Sequence, residues 1–290
     1  MTDLELPDVI AVLDAPLPGL RIDTPAAQGV IYLNGAHVAE WAPAGERPVL
    51  WMSEASMFEP GQAIRGGVPI VWPWFSNGRA GDKSPAHGFA RLSQWNLRYA
   101  QVSDSGVATL TFGLEGSEIP ADAAPGLPSD YSLVLQVLMG QALMLQLVVT
   151  AGADDLTFEE GLHTYFAVGD INQVRVEGLE GATYHDRLTD QLSTQDGPVA
   201  FTAETDRIYE SEGSTRIVDD AWQRTILVEK AGSRQTVVWN PWRAKSAAMP
   251  DYGDDEWTQM VCVEAVNCRG QTVVLPAGQR HVMSQTISLV

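Results

Sequence analysis

Residues able to do chemistry gather in a few short stretches of this 290-residue chain. In Val261-Cys262-Val263-Glu264-Ala265-Val266-Asn267 one carboxylate stands inside an otherwise apolar, strand-like run. A buried acid is costly unless it is paired or used, because its charged form loses hydration. Glu264 is therefore a candidate acid–base group, with an ion pair to an arginine as the structural alternative. His163 lies in a second such run, Glu160-Gly161-Leu162-His163-Thr164-Tyr165-Phe166. A histidine there serves either as a satisfied core residue or as a proton carrier near neutral pH.

The remaining stretches are Arg65-Gly66-Gly67-Val68-Pro69-Ile70-Val71-Trp72-Pro73-Trp74-Phe75 and, a dozen residues on, His87-Gly88-Phe89-Ala90-Arg91. Paired glycines and two prolines shape a loop and let backbone approach a ligand closely. The tryptophans offer flat apolar faces of the kind that stack on a sugar's C–H face, although core packing would also use them. From Arg65 to Arg91 the chain carries Arg65, Arg79, Lys83 and Arg91 against Asp82 alone, a local balance of +3. At the chain's mean charge density such a window would hold about −2. A basic island in an acidic protein points to a site for a small anion, the alternative being solvated surface charge.

The elements that must position these groups read as β-strands. Ala108, Leu110, Phe112 and Leu114 alternate with more polar neighbours, as do Tyr131, Leu133, Leu135 and Val137, and again Leu143, Leu145, Leu147 and Val149. Met139-Gly140-Gln141 between the last two sets signals a hairpin. Shorter strands are expected at 235–239, 260–266, 272–275 and 281–290, with a long loop over 119–129. No segment gives an amphipathic helix of about 12 or more residues. Residues 1–28 read as an edge strand or a loose lead-in. Many strands with no linker between them predict an all-β fold, one large antiparallel sandwich domain over 1–290; a two-domain all-β chain is the alternative.

Bulk properties exclude several classes of function. Lys plus Arg number 18 and Asp plus Glu 37, a net charge of −19, which repels nucleic acid and anionic membranes alike. No run approaches the roughly 18 apolar residues of a membrane helix. The acidic start, Met1-Thr2-Asp3-Leu4-Glu5, has no signal-peptide character, and a cytoplasmic address is expected. Cys262 and Cys268 cannot make a disulfide framework or, unaided, a four-ligand zinc site, and read as buried thiols. No metal-ligand spacing is evident.

Taken in order, Gly-Gly-Val-Pro with Trp-Pro-Trp-Phe, His-Gly-Phe-Ala-Arg, Leu-His-Thr-Tyr-Phe, Thr-Asp-Arg-Ile-Tyr (205–209), Trp-Asn-Pro-Trp (239–242) and Val-Cys-Val-Glu resemble the hexose-6-phosphate mutarotases of the aldose 1-epimerase, or galactose mutarotase-like, superfamily. The motifs span the chain from about residue 30 onward. The resemblance implies a β-supersandwich and a glucose 6-phosphate 1-epimerase activity with no cofactor or metal. It maps the family's acid onto His163 and its base onto Glu264. A second histidine maps onto His87, phosphate-facing arginines onto Arg65 and Arg91, and a sugar-binding aspartate onto Asp206. Lys83 and Trp242 are further expected pocket members. Ser76 departs from the pattern, which has glycine after Trp-Pro-Trp-Phe.

Opening a hexose ring removes a proton from the anomeric hydroxyl while the ring oxygen gains one, and closing it reverses both transfers. Glu264 and His163 suit that exchange, and an ionised Glu264 is expected to keep His163 protonated. The expected partner is a small phosphosugar, met by a monomer. Rival readings are a mutarotase for unphosphorylated aldoses, a glycosidase, for which no second carboxylate motif is visible, and a non-catalytic carbohydrate binder that would not need His163 and Glu264.

Overall fold

The computed structural model describes residues 4–124 and 126–290. Met1–Asp3 of the acidic start and Pro125 of the expected 119–129 loop lie outside the described residues. Among the described residues the chain is almost wholly antiparallel β-sheet, with one short α-helix at Trp242–Ser246.

The larger of two big sheets has nine strands, in the order Val199–Ala200, Val174–Glu177, Thr215–Asp219, Arg224–Ala231, Arg280–Leu289, Ala142–Thr150, Ser132–Met139, Ala108–Glu115 and Asn96–Val102. The expected hairpin is present: Met139 faces Leu143 across Gly140-Gln141-Ala142, and the register brings Leu135 opposite Leu147 and Val137 opposite Leu145. These inward residues are fully buried while their neighbours alternate outward. Each such side chain contributes about 1.5–3 kcal/mol through removal from water.

The second sheet has the order Gln191–Thr194, Thr183–Asp186, Thr205–Glu210, Gln235–Asn240, Met260–Asn267, Glu160–Leu162 and Ile70–Val71, with Tyr165–Ala167 also paired to Met260–Asn267. Its central strands Gln235–Asn240 and Met260–Asn267 are buried on both faces, which explains their continuous apolar character. Gln285 of the nine-stranded sheet reaches across, accepting from the Thr164 hydroxyl and donating to the Val263 carbonyl (3.1 Å). The lead-in is folded: Ile10–Leu13 is the edge of a four-stranded sheet continued by Gly19–Asp23, Ala27–Tyr32 and His37–Pro43. Trp41 docks that sheet on the hairpin by donating from Nε1 to the Gly140 carbonyl (3.0 Å).

One buried carboxylate ties together the segments that carry the candidate groups. Glu159 accepts hydrogen bonds from the backbone N–H of Phe75 (2.9 Å) and of Arg269 (2.5 Å), while its own N–H donates to the Pro73 carbonyl (2.9 Å). It thus joins the Trp-Pro-Trp-Phe loop, the strand leading to His163 and the turn that follows Glu264. Replacing Glu159 with Leu strands two N–H donors, at about 1–3 kcal/mol each. A denaturant titration is expected to show a lowered midpoint for Glu159→Leu and a smaller loss for Glu159→Gln, which keeps one acceptor oxygen. Unchanged midpoints in both variants would remove the clamp from this account.

Candidate active site

Strand register creates the centre of the site. Leu162 lies opposite Ala265, and Tyr165 lies opposite Cys262. The same register carried through the two intervening residues sets His163 directly across from Glu264. Regular pairing lapses there, and the His163 N–H donates instead to the Pro69 carbonyl (3.0 Å). Opposed side chains project to the same face of a sheet, and His163 Nε2 lies 3.4 Å from Glu264 Oε1. On the neighbouring strands Val237 lies opposite Glu264, while Trp239 lies opposite both Cys262 and Asp206. Asp206, Trp239, Glu264 and His163 therefore share one face, the floor of a cavity of about 260 Å³.

Loops supply the walls. Gly66 and Gly67 adopt φ of +117° and +55°, and a Cβ on Gly67 would sit 2.3 Å from the Val38 carbonyl oxygen, so only glycine fits. This pair turns the chain to place Arg65 against Tyr165 and Asp251. In His-Gly-Phe-Ala-Arg, Gly88 bridges to Trp72 so closely that a Cβ would lie 2.0 Å from the Trp72 carbonyl oxygen. That contact sends His87 inward at φ +64° and sets Arg91 on the short turn Ala90–Leu92. Ser76 also occupies a left-handed conformation, at φ +52°, the geometry for which glycine was expected. Its N–H donates to His87 Nδ1 (3.3 Å), and its hydroxyl accepts from Arg187 Nη2 (3.0 Å), so the serine has ties that glycine lacks.

The cavity's cations are not equivalent. Arg65 is held by Asp251, with three N···O distances of 3.0–3.2 Å, and donates to the Tyr165 hydroxyl (2.9 Å). Arg187 straddles both oxygens of Asp206 at 3.2 Å. Lys245 pairs with Glu204 at 2.9 Å. Arg91 has no carboxylate partner among the described residues; Nη2 donates to the Ala86 carbonyl (2.7 Å), and Nε is buried with no partner. Burial pulls its pKa down to about 10, so it stays charged at neutral pH. Arg91 is the guanidinium with positive charge to offer an incoming anion.

The central pair corrects one expectation. Burial, then the fields of Arg91 and Arg65, lowers the His163 pKa to about 3, while burial and then Asp206 push Glu264 well above the usual carboxylate range. Both shifts favour the proton on Glu264 over His163, the reverse of an ionised Glu264 holding His163 charged. Removing both groups from water costs more than their mutual attraction returns. His87, 5.4 Å from His163 between ring centres, is likewise held neutral, by burial and then by Arg91. Burial also raises Asp206, against the pull of Arg187.

His163, Glu264, Arg65, His87, Arg91 and Asp206 thus meet in one cavity, and Lys83 and Trp242 do not. Lys83 lines a separate cleft of about 440 Å³ beside Trp74 and Arg79. Trp242 packs on Trp257 with ring centres 4.3 Å apart, and it is Trp239, the first tryptophan of Trp-Asn-Pro-Trp, that faces the cavity. Sequence reading missed Arg187, Lys245 and Met249, which sit outside any marked motif, and the acid Asp251 behind Arg65.

The model of the aldose 1-epimerase family matches residues 19–288. A Salmonella typhimurium protein provisionally named glucose-6-phosphate 1-epimerase is 38% identical over 249 residues, covering 84% of this chain and 81% of that protein. An Escherichia coli protein of the same provisional name is 39% identical over 247 residues, with the same coverage. A crystal structure of a Salmonella typhimurium protein, provisionally described as a mutarotase, superimposes with a TM-score of 0.91 at 33% identity, covering 99% of this chain and 95% of that one. The chain is a member of the aldose 1-epimerase family.

Proposed function

We propose that this isomerase is a glucose-6-phosphate 1-epimerase, interconverting the α and β anomers of hexose 6-phosphates by opening and reclosing the ring. The observation that carries the reading is the buried His163–Glu264 pair, 3.4 Å apart on the cavity floor, with an unneutralised Arg91 in the same cavity. The names of the Salmonella and Escherichia coli relatives support the phosphorylated substrate.

In this mechanism the 6-phosphate, with close to two negative charges, docks on Arg91, and Arg65 lies beside it. Its charge offsets the positive field that helps keep His163 neutral. The pair's proton then passes from Glu264 to His163, which leaves a carboxylate base and an imidazolium acid. Glu264 takes the proton of the anomeric hydroxyl while His163 protonates the ring oxygen, and the C1–O5 bond breaks to give the open aldehyde. Rotation about C1–C2 presents the other carbonyl face; O5 attacks it, His163 recovers its proton and Glu264 returns the one it took. No proton is gained or lost over the cycle. Asp206, Arg187 and His87 orient sugar hydroxyls, and Trp239 gives the ring an apolar wall.

The same reading makes the chain one mutarotase-like domain over 1–290, a monomer acting on a free phosphosugar in the cytoplasm. The two free, buried cysteines suit a reducing compartment. The alternative of an unphosphorylated aldose leaves Arg91 without a partner.

NMR saturation exchange between the anomers of glucose 6-phosphate measures the activity directly. Glu264→Gln is expected to slow exchange by about 10² to 10⁴ while the protein stays folded, since each positioned acid–base group contributes on that order. Full activity in this variant would refute the role of Glu264 as base. Arg91→Ala is expected to raise KM for glucose 6-phosphate by roughly tenfold or more, the scale of one charge-assisted contact, with little change for free glucose. An equal response to both sugars would dissociate Arg91 from the phosphate.

A further inference from the structure

The face bearing His163 and Glu264 carries a third group that the proposed reaction does not use. Cys262 precedes Glu264 by two residues on the strand Met260–Asn267, so the two-residue period of a strand sends both side chains the same way. The thiol is fully buried, forms no disulfide and lies beneath the catalytic cavity without lining it. One ligand-type atom from each of His163, Cys262 and Glu264 lies within 4.8 Å of the other two. His163 Nδ1 and Glu264 Oε2 are buried with no hydrogen-bond partner. We infer that His163, Cys262 and Glu264 form a latent site for a borderline-soft divalent cation, with Zn²⁺ as the fitting ion, and that filling it arrests the enzyme.

Donor chemistry selects the ion. One nitrogen, one sulfur and one oxygen suit Zn²⁺, whereas Mg²⁺ and Ca²⁺ require an oxygen-rich shell. Zinc bonds of about 2.0–2.2 Å to N and O at a tetrahedral angle separate those atoms by about 3.4 Å. His163 Nε2 and Glu264 Oε1 already stand 3.4 Å apart. Zn–S bonds of about 2.3 Å call for the sulfur to close by about 1 Å, within reach of small side-chain rotations. Binding releases the Glu264 carboxyl proton and the Cys262 thiol proton, which burial otherwise holds in place, to solvent; the resulting carboxylate and thiolate match the ion's charge, so the neighbouring guanidinium groups meet a neutral complex. His163 and Glu264 line the cavity, the side from which an ion reaches the buried thiol. Coordination occupies the lone pairs that proton transfer needs, which makes the ion an inhibitor. The inhibitory half of this inference rests on the proposed role of His163 and Glu264; the binding half does not.

Two readouts separate those halves. Co²⁺ added to the full chain is expected to bind once per chain and give thiolate-to-cobalt charge-transfer absorption, retained in Cys268→Ala and lost in Cys262→Ala and Cys262→Ser. Zn²⁺ is expected to suppress anomer exchange reversibly, with EDTA restoring it. Both Cys262 variants, checked for fold by thermal melting, are expected to keep exchange and to need at least about tenfold more Zn²⁺ for inhibition. Absence of the charge-transfer band, or its survival in both Cys262 variants, overturns the site. A band that depends on Cys262 with unimpaired exchange at saturating Zn²⁺ keeps the site and overturns its inhibitory role. If the wild-type chain shows no exchange with any hexose 6-phosphate, the functional reading fails while the Co²⁺ result still decides the metal site.

Discussion

A carboxyl and an imidazole held face to face by strand register, nearly buried on the floor of a cavity, form the interaction on which this structure turns. The two residues are about a hundred positions apart in the chain, yet the ladder between Glu160–Ala167 and Met260–Asn267 leaves them no other relation. Burial determines how the pair idles. Two charges would each lose their hydration, so burial disfavours the imidazolium and the carboxylate alike. In the proposed mechanism an anionic substrate changes that balance, so the charged acid and base arise only when there is something to act on.

The positive groups around the pair are arranged so that most of their charge is already used. Asp251 and Asp206 neutralise Arg65 and Arg187, and Glu204 engages Lys245. These ion pairs act as scaffolding: each joins segments distant in sequence and fixes a side chain that would otherwise be mobile. Arg91 alone among the cavity's guanidinium groups keeps uncompensated charge, which in a chain of net −19 gives an anionic ligand one well-defined place to go. Glu159 stabilises the same assembly through backbone donors, fastening the loop that carries His87 and Ser76 to the strands that carry the pair.

Shared facing also explains why chemistry and vulnerability coincide. A strand's two-residue period cannot place Glu264 on the cavity floor without sending Cys262 to the same side. The thiol is an apolar filler in the resting protein, but it completes a nitrogen, oxygen and sulfur set that soft cations seek.

Much of this was legible in the order of the residues. Period-two alternation marked the hairpin and the C-terminal strands, because half-buried strands must alternate. Gly66-Gly67 announced a loop whose backbone comes too close to its neighbours for a Cβ. Glu264 stood out as a lone acid in an apolar run, and the basic island held two of the arginines that line the cavity. Tertiary structure alone decided the rest, since it depends on contacts between residues far apart in the chain. It divided the island, turning Arg65 and Arg91 inward and leaving Lys83 at another cleft. It chose Trp239 over Trp242 through pairing with Asp206 and Cys262, and it brought in Arg187 and Lys245 from segments with no distinguishing pattern. It also reversed the expected tuning of the pair, lowering His163 and raising Glu264, because a pKa follows burial and the surrounding field, neither of which can be read from residue type.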